Sequence, residues 1–179
     1  MKVATTVGDP WLEPRAVSLQ VDAAPADVYR LVSDVERIGE WSPECRSAIW
    51  RDDQRGAGAR FRGRNRSGAN RWSRICEVLL DEPDREFSWR TIPGGPTTDD
   101  STRWSFVLEP SAAGTLLTQR MQVIKKPQAW FRPYIRLTMP QHLDMRAQMR
   151  TTLEAIRATA ESQASARAST RPASDPGTA

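Results

Sequence analysis

The strongest constraint on this chain is one long amphipathic segment near its C-terminus, roughly Pro140 to Glu161. His142, Met145, Met149, Leu153, Ile156 and Ala160 recur there at spacings of three and four, which is one stripe on an α-helix. The opposite face carries Asp144, Arg150, Thr151, Glu154 and Arg157 and is expected to meet water. From Arg15 to Val123 the pattern is mostly that of strands with an apolar face. A lone helix and a strand-rich chain bury those faces most economically when the sheet curves around the helix. The expected class is therefore α+β: a curved antiparallel sheet of about six or seven strands around a long C-terminal helix.

The order along the chain supports this. Arg15 to Val21 alternates, with Val17, Leu19 and Val21 facing inward. Ala24-Pro25 opens a helix, since proline suits a first turn whose N–H has no partner. Val28, Leu31, Val32 and Val35 form its buried stripe, and a second short helix around Glu36 to Gly39 ends before Trp41-Ser42-Pro43. Strands are expected at Arg46–Arg51, Gly58–Arg64, Arg71–Leu80, Glu86–Ile92, Thr102–Leu108 and Thr115–Val123. Short turns between them imply an antiparallel meander. Either face of 71–80 and of 115–123 can be inward, because both contain apolar residues. Lys125 to Met139 is amphipathic and aromatic, and one short helix is expected in it. Residues 1–13 read as a loose lead pinned by Trp11, residues 14–162 as one domain, and residues 163–179 as a disordered Ala/Ser/Pro tail.

Composition narrows the function classes. The net charge is +4 and arginine outnumbers lysine, but the excess is spread along the chain. The row Arg60, Arg62, Arg64 and Arg66 lacks interleaved aromatic residues on its own face, so it reads as a solvated sheet surface and no nucleic-acid partner is expected. One histidine and two cysteines, Cys45 and Cys76, form no ligand spacing, so no metal and no cofactor are expected. No apolar run is long enough for a membrane span. The N-terminus lacks the apolar core of a signal peptide, which points to a cytoplasmic protein. Monomer and homodimer both remain open.

With seven Trp and five Met, the inward faces are rich in large apolar side chains. A hydrophobic ligand needs such a concave surface with a few polar groups to orient it. Candidate lining residues are Phe61, Trp72, Trp89, Trp104, Phe106 and Met121 from the strands. Met145, Met149 and His142 join them from the C-terminal helix, and Trp41, Trp130, Phe131 and Tyr134 from the ends of the grip. The competing reading is that these residues fill the core solidly. Among polar strand residues, Asn65, Arg74, Gln119 and Arg120, an outward side chain is the simpler reading. Arg74 is the exception of interest, because it shares a face with Trp72 and Cys76. His142, Arg74 and Tyr134 are the candidates for polarising a carbonyl or moving a proton. No nucleophile elbow accompanies them.

The same ordered set of residues resembles a known family. Ala24-Pro25, Val28-Tyr29, Leu31, Asp34 and Trp41-Ser42-Pro43 are similar to the opening helices of the START-like (SRPBCC) superfamily, in its polyketide cyclase/dehydrase and lipid-transport branch. Gly56, Gly58, Trp72, Pro83, Phe87 and Trp89 are similar to its middle strands. Trp104-Ser105-Phe106, Glu109-Pro110, Gly114-Thr115 and Thr118 are similar to its closing hairpin. The resemblance runs from about Arg15 to Glu161 and implies the helix-grip fold. It implies binding of a hydrophobic or aromatic small molecule (lipid, isoprenoid or polyketide-like), as carrier or sensor. The alternatives are a polyketide cyclase/dehydratase-like enzyme, and an interaction module that uses the basic sheet face. Fold alone does not choose among them.

Overall fold

The computed structural model describes residue 9 and residues 11–170. Most of the expected lead, and residues 171–179 of the expected tail, lie outside that range. Seven strands form one sheet: β1 (Arg15–Val21), β2 (Cys45–Trp50), β3 (Arg60–Ser67), β4 (Asn70–Glu82), β5 (Glu86–Thr91), β6 (Ser101–Ser111) and β7 (Gly114–Lys125). Their order is β1-β7-β6-β5-β4-β3-β2, so β2 to β7 are a meander and β1 closes beside β7. Every pairing is antiparallel. Register shifts at Cys45/Ser47, Val78/Leu80 and Ser101/Thr102 mark bulges, and each bends its strand and sharpens the twist. The sheet thereby curves into a grip.

Helix α1 (Pro25–Ser33) begins at an extended Ala24, has Pro25 in its first turn and buries Val28, Tyr29, Leu31 and Val32. A 3-10 turn, Val35–Glu40, follows it, with Asp34 accepting the Glu36 N–H. Helix α2 is short, Arg132–Thr138, and ends in a 3-10 turn at Pro140–Leu143. The long helix α3 spans Arg146–Thr170 and packs on β1, β7 and α1.

Two boundaries of that helix differ from the sequence expectation. The segment from Pro140 to Glu161 is not one helix: Asp144 is extended (φ −147°, ψ 101°), and its carboxylate accepts the Arg146 N–H at 3.1 Å. A short acidic side chain that bonds the backbone ahead of it favours a helix start over a helix interior. At the other end α3 runs past residue 162 to Thr170, through residues expected to be disordered. Alanine is a strong intrinsic helix former even without an apolar stripe. Arg167 also pairs with Asp27 of α1, which ties the extension to the body of the fold.

The buried face of α3 is the expected stripe: Met149, Leu153, Ile156 and Ala160 are all at most 1% exposed. The strand faces left open by pattern alone are also fixed. On β4 the inner residues are Trp72, Arg74, Cys76 and Val78, and on β7 they are Thr115, Leu117, Gln119, Met121 and Val123. Arg60, Arg62, Arg64 and Arg66 are exposed on the outer face, as their alternation predicts.

Candidate functional site

The concave sheet and the N-terminal half of α3 do not close completely on each other. They enclose a cavity of about 490 Å³, roofed by α2 and the Pro140–Leu143 turn. Its wall follows from strand parity. Cross-strand pairs Phe61–Cys76 and Asn65–Trp72 bring β3 and β4 residues side by side, and Trp89–Trp104, Trp104–Met121 and Phe106–Gln119 continue the row through β5, β6 and β7. Trp89 is the centre of an aromatic cluster, 6.2 Å from Phe61 and 5.8 Å from Phe106 between ring centroids. Met145, just before α3, and Met149 in its first turns face this row. Trp41 closes one end, and Phe131 and Tyr134 form part of the rim.

Of the residues expected to line a cavity, Trp41, Phe61, Trp72, Trp89, Trp104 and Phe106 do so. Met121, Phe131, Tyr134, His142, Met145 and Met149 do as well. Trp130 does not: it is 62% exposed, its ring tilted against that of Phe131 with centroids 5.5 Å apart. It precedes α2 rather than lying on its inward side, a difference that composition alone does not show. Tyr134 is 44% exposed, and its hydroxyl donates to the Asn70 side-chain oxygen at 2.5 Å, so the phenol belongs to the rim.

The polar strand residues reverse the simpler expectation in three cases of four. Asn65, Arg74 and Gln119 face the cavity, and only Arg120 points outward. Arg74 is nearly buried: Nη1 donates to Asp100 Oδ1 at 2.8 Å and Nη2 to the Asp100 carbonyl at 2.6 Å. Its cross-strand neighbour is Gly63, where an added Cβ would lie 3.4 Å from Cys45 Sγ. Besides Ser88 Oγ, which lies outside the cavity wall, the Arg74 Nε, the Trp41 Nε1 and the amide oxygens of Gln119 and Gln148 are buried with no hydrogen-bond partner among the described residues. All four residues belong to the cavity wall. Such groups cost about 1–3 kcal/mol each when left unpaired, so their concentration around one space is informative.

A second polar cluster stands near the roof. His142 Nε2 lies 3.0 Å from Glu44 Oε2, and its ring meets the Trp72 ring edge-on at 5.6 Å. Gln141 donates to Glu44 at 3.0 Å and to Ser67 at 2.5 Å. Burial alone pushes the Glu44 carboxyl up. The hydrogen bond and charge of His142, with the hydrogen bonds of Gln141 and Ser67, outweigh it and hold the carboxyl below its ordinary value. Cys45 and Cys76 also face the cavity, but burial pushes their thiols up to about 11 and about 12, so neither is a thiolate nucleophile near neutrality. Among the described residues no group of three or more His, Cys, Asp and Glu is placed to hold a metal ion.

Sequence reasoning missed Glu44, Asp100, Gln148, Thr152, Trp11, Ile135 and Met139 as lining residues. Gln148 and Thr152 had a usable signal, since each directly precedes a stripe residue of α3. Glu44 and Asp100 had none, because their partners lie 98 and 26 residues away.

A cavity gripped between a curved antiparallel sheet and a C-terminal helix defines the helix-grip fold. Residues 21–129 match the family model described as polyketide cyclase / dehydrase and lipid transport, and the chain belongs to that family. No curated protein matches. Among solved structures, the polyketide-cyclase-like protein Cgl2372 from Corynebacterium glutamicum is 31% identical, with a TM-score of 0.58, covering 84% of this chain and 93% of that one. The Zhui aromatase/cyclase from Streptomyces sp. R1128 is 13% identical with a TM-score of 0.69, covering 86% and 96%. The di-domain ARO/CYC StfQ from the steffimycin biosynthetic pathway is 15% identical with a TM-score of 0.70. This chain is 87% covered in that comparison and spans 53% of StfQ, about half its length. The last two likenesses are likenesses of fold. Among the described residues no helix is long and apolar enough to cross a membrane.

Proposed function

We propose that the cavity binds a hydrophobic or aromatic small molecule, lipid, isoprenoid or polyketide-like, which the protein carries or senses. The observation that carries this reading is the wall: tryptophans, phenylalanines and methionines around about 490 Å³, with polar atoms of Trp41, Arg74, Gln119 and Gln148 lacking protein partners. Volumes of roughly 300–1,000 Å³ suit small organic guests. Flexible thioethers of Met121, Met145 and Met149 allow the wall to adapt to the guest's shape. Small side-chain rotations would aim the Arg74 and Trp41 donors at a ketone, phenolate or carboxylate oxygen, and the two glutamine amides at a hydroxyl. The test is tryptophan fluorescence during titration with lipids, isoprenoid quinones and aromatic polyketides. A saturable change is expected with at least one class, because Trp41, Trp72, Trp89 and Trp104 all line the wall. No response from any class overturns the reading.

One observation favours catalysis as a second reading, that of a polyketide cyclase-like enzyme. The Arg74 guanidinium, held by Asp100, would stabilise an enolate oxygen as charge develops on it. The His142–Glu44 pair supplies a proton acceptor on the same cavity. The fold likeness to two aromatase/cyclases agrees with this. The same titrations, followed for product as well as binding, separate the two. Turnover of a poly-ketone that Arg74→Met abolishes while binding persists selects the enzyme, and binding without turnover selects the carrier.

A further inference from the structure

We propose that the outer side of α2, with the tip of the β3–β4 hairpin, is a docking surface for an anionic phospholipid bilayer. The helix is two-sided. Ile135 and Met139 are buried with Trp11, against Trp72, Phe131 and Leu143. The other side holds Leu137 at 83% exposure and Tyr134 at 44%, and Trp130 just before the helix is 62% exposed. Large apolar side chains at that exposure on one short segment are not ordinary surface residues. Tryptophan, tyrosine and leucine beside arginines are what a headgroup boundary accommodates, with the apolar bodies inserted and the cations at the phosphates.

Charge points the same way. From Pro110 to Leu143 the sequence contains no Asp or Glu, and none occurs from Gln54 to Cys76. These two acid-free stretches meet at the rim. Tyr134 bonds Asn70 at the hairpin tip, and Gln141 bonds Ser67 beside it. The nearby carboxylates are all paired: Asp9 with Lys126, Asp99 with Lys125, Glu44 with His142 and Gln141, and Asp144 with Arg146. Arg66, Arg71 and Arg136 are exposed and make no ion pair among the described residues. The surface is thus apolar at its centre with exposed, unpaired arginines around it, the complement of an anionic leaflet.

Position supplies the reason for such a surface. Phe131, Tyr134, Ile135 and Met139 are part of the cavity wall, so α2 is the partition between the cavity and this patch. Seated on a bilayer, the rim would let an apolar guest pass between membrane and cavity without crossing water. That last step rests on the cavity reading, whereas the docking itself does not.

The test is co-sedimentation of the full chain with phosphatidylcholine vesicles, with and without phosphatidylglycerol, over a range of salt. Binding is expected only with the anionic lipid, weakening as salt rises. Trp130→Ser/Leu137→Ser should lower partitioning about tenfold or more, the loss expected when two inserted apolar side chains are removed. Arg71→Ser/Arg136→Ser should flatten the salt dependence. All four residues are exposed, so both variants should fold, which circular dichroism checks. No binding to anionic vesicles overturns the proposal, as does equal binding to neutral ones or wild-type binding by Trp130→Ser/Leu137→Ser. Sedimentation velocity without vesicles covers a further outcome: self-association lost in that same variant would reassign the patch to a second copy of the chain. Uptake of an anilinonaphthalene sulfonate dye reports on the cavity separately. Vesicle binding without dye uptake would defeat the cavity reading and leave docking standing.

Discussion

Glu44 shows how single residues at this site are set by opposing effects. The strands and the Pro140–Leu143 turn remove its carboxylate from water, which disfavours the charge, while His142 at 3.0 Å and Gln141 at 3.0 Å favour it. The partners win, so the folded carboxyl titrates below its ordinary value of 4.5. A depressed carboxyl adds stability that is present above the unfolded pKa and is lost as pH falls through the folded pKa. His142→Ala removes the leading favourable partner and keeps the burial, so the carboxyl should then titrate higher than in the wild type. The wild type therefore loses more stability than the variant as pH falls through the folded pKa of Glu44, and the variant's deficit should shrink in acid. Urea unfolding at a series of pH values checks this, and a deficit that does not change with pH would show that His142 contributes only packing. This pair was invisible in the sequence: His142 stood out as the single histidine, but nothing in the local pattern around Glu44 marks it as the partner.

At the scale of elements, α3 carries two roles along its length. Leu153, Ile156 and Ala160 are wholly buried in solid core, whereas Met145 and Met149 border the cavity. Leu153→Ala leaves a void among close neighbours on every side and should cost about 3 kcal/mol or more. Met149→Ala removes atoms that face open space on one side, so its cost should fall at or below the low end of the usual range, about 2 kcal/mol. Its effect should appear in guest affinity instead. Chemical denaturation and titration of both variants would measure the contrast; equal stability losses would mean that the cavity closes in solution. This division was legible in the sequence, because the apolar stripe at three and four spacings needs only local information and the methionines sit at one end of it. The start of the helix was not legible, since Asp144 fits the polar face of a continuous helix and breaks it only through a backbone hydrogen bond. Strand parity was legible where one face was charged, as in Arg60 to Arg66. In β4 and β7 it needed the register with neighbouring strands, because Trp72–Cys76 and Leu116–Ile124 offer apolar residues to either side. For Arg74 and Gln119 an outward side chain was therefore the simpler reading, although the sheet turns them in; Asn65 alternates with the arginine row of β3 and could have been placed inward from that pattern.

Over the whole molecule, the grip encloses a space that its own side chains do not fill. Close-packed interiors gain contact energy that a cavity wall forgoes. A guest supplies those contacts only to the folded chain, so folding and binding are thermodynamically linked. At a guest concentration near a hundred times Kd the linkage amounts to about 2.7 kcal/mol. For a domain of this size that corresponds to a rise in melting temperature of about 5–10 °C. Met149→Trp gives the complementary experiment. The indole is placed in the cavity from the side of α3, occupying the volume that a guest requires. The rise with guest should then disappear. The unliganded variant should melt no lower than wild type, because the added ring replaces missing contacts instead of displacing packed ones. Differential scanning calorimetry with and without guest separates this from overpacking, which would lower the unliganded melting temperature by an amount equivalent to about 1–3 kcal/mol. If the variant keeps the full rise, the guest binds elsewhere on the fold, and the cavity's apolar wall is a packing feature and not a ligand site.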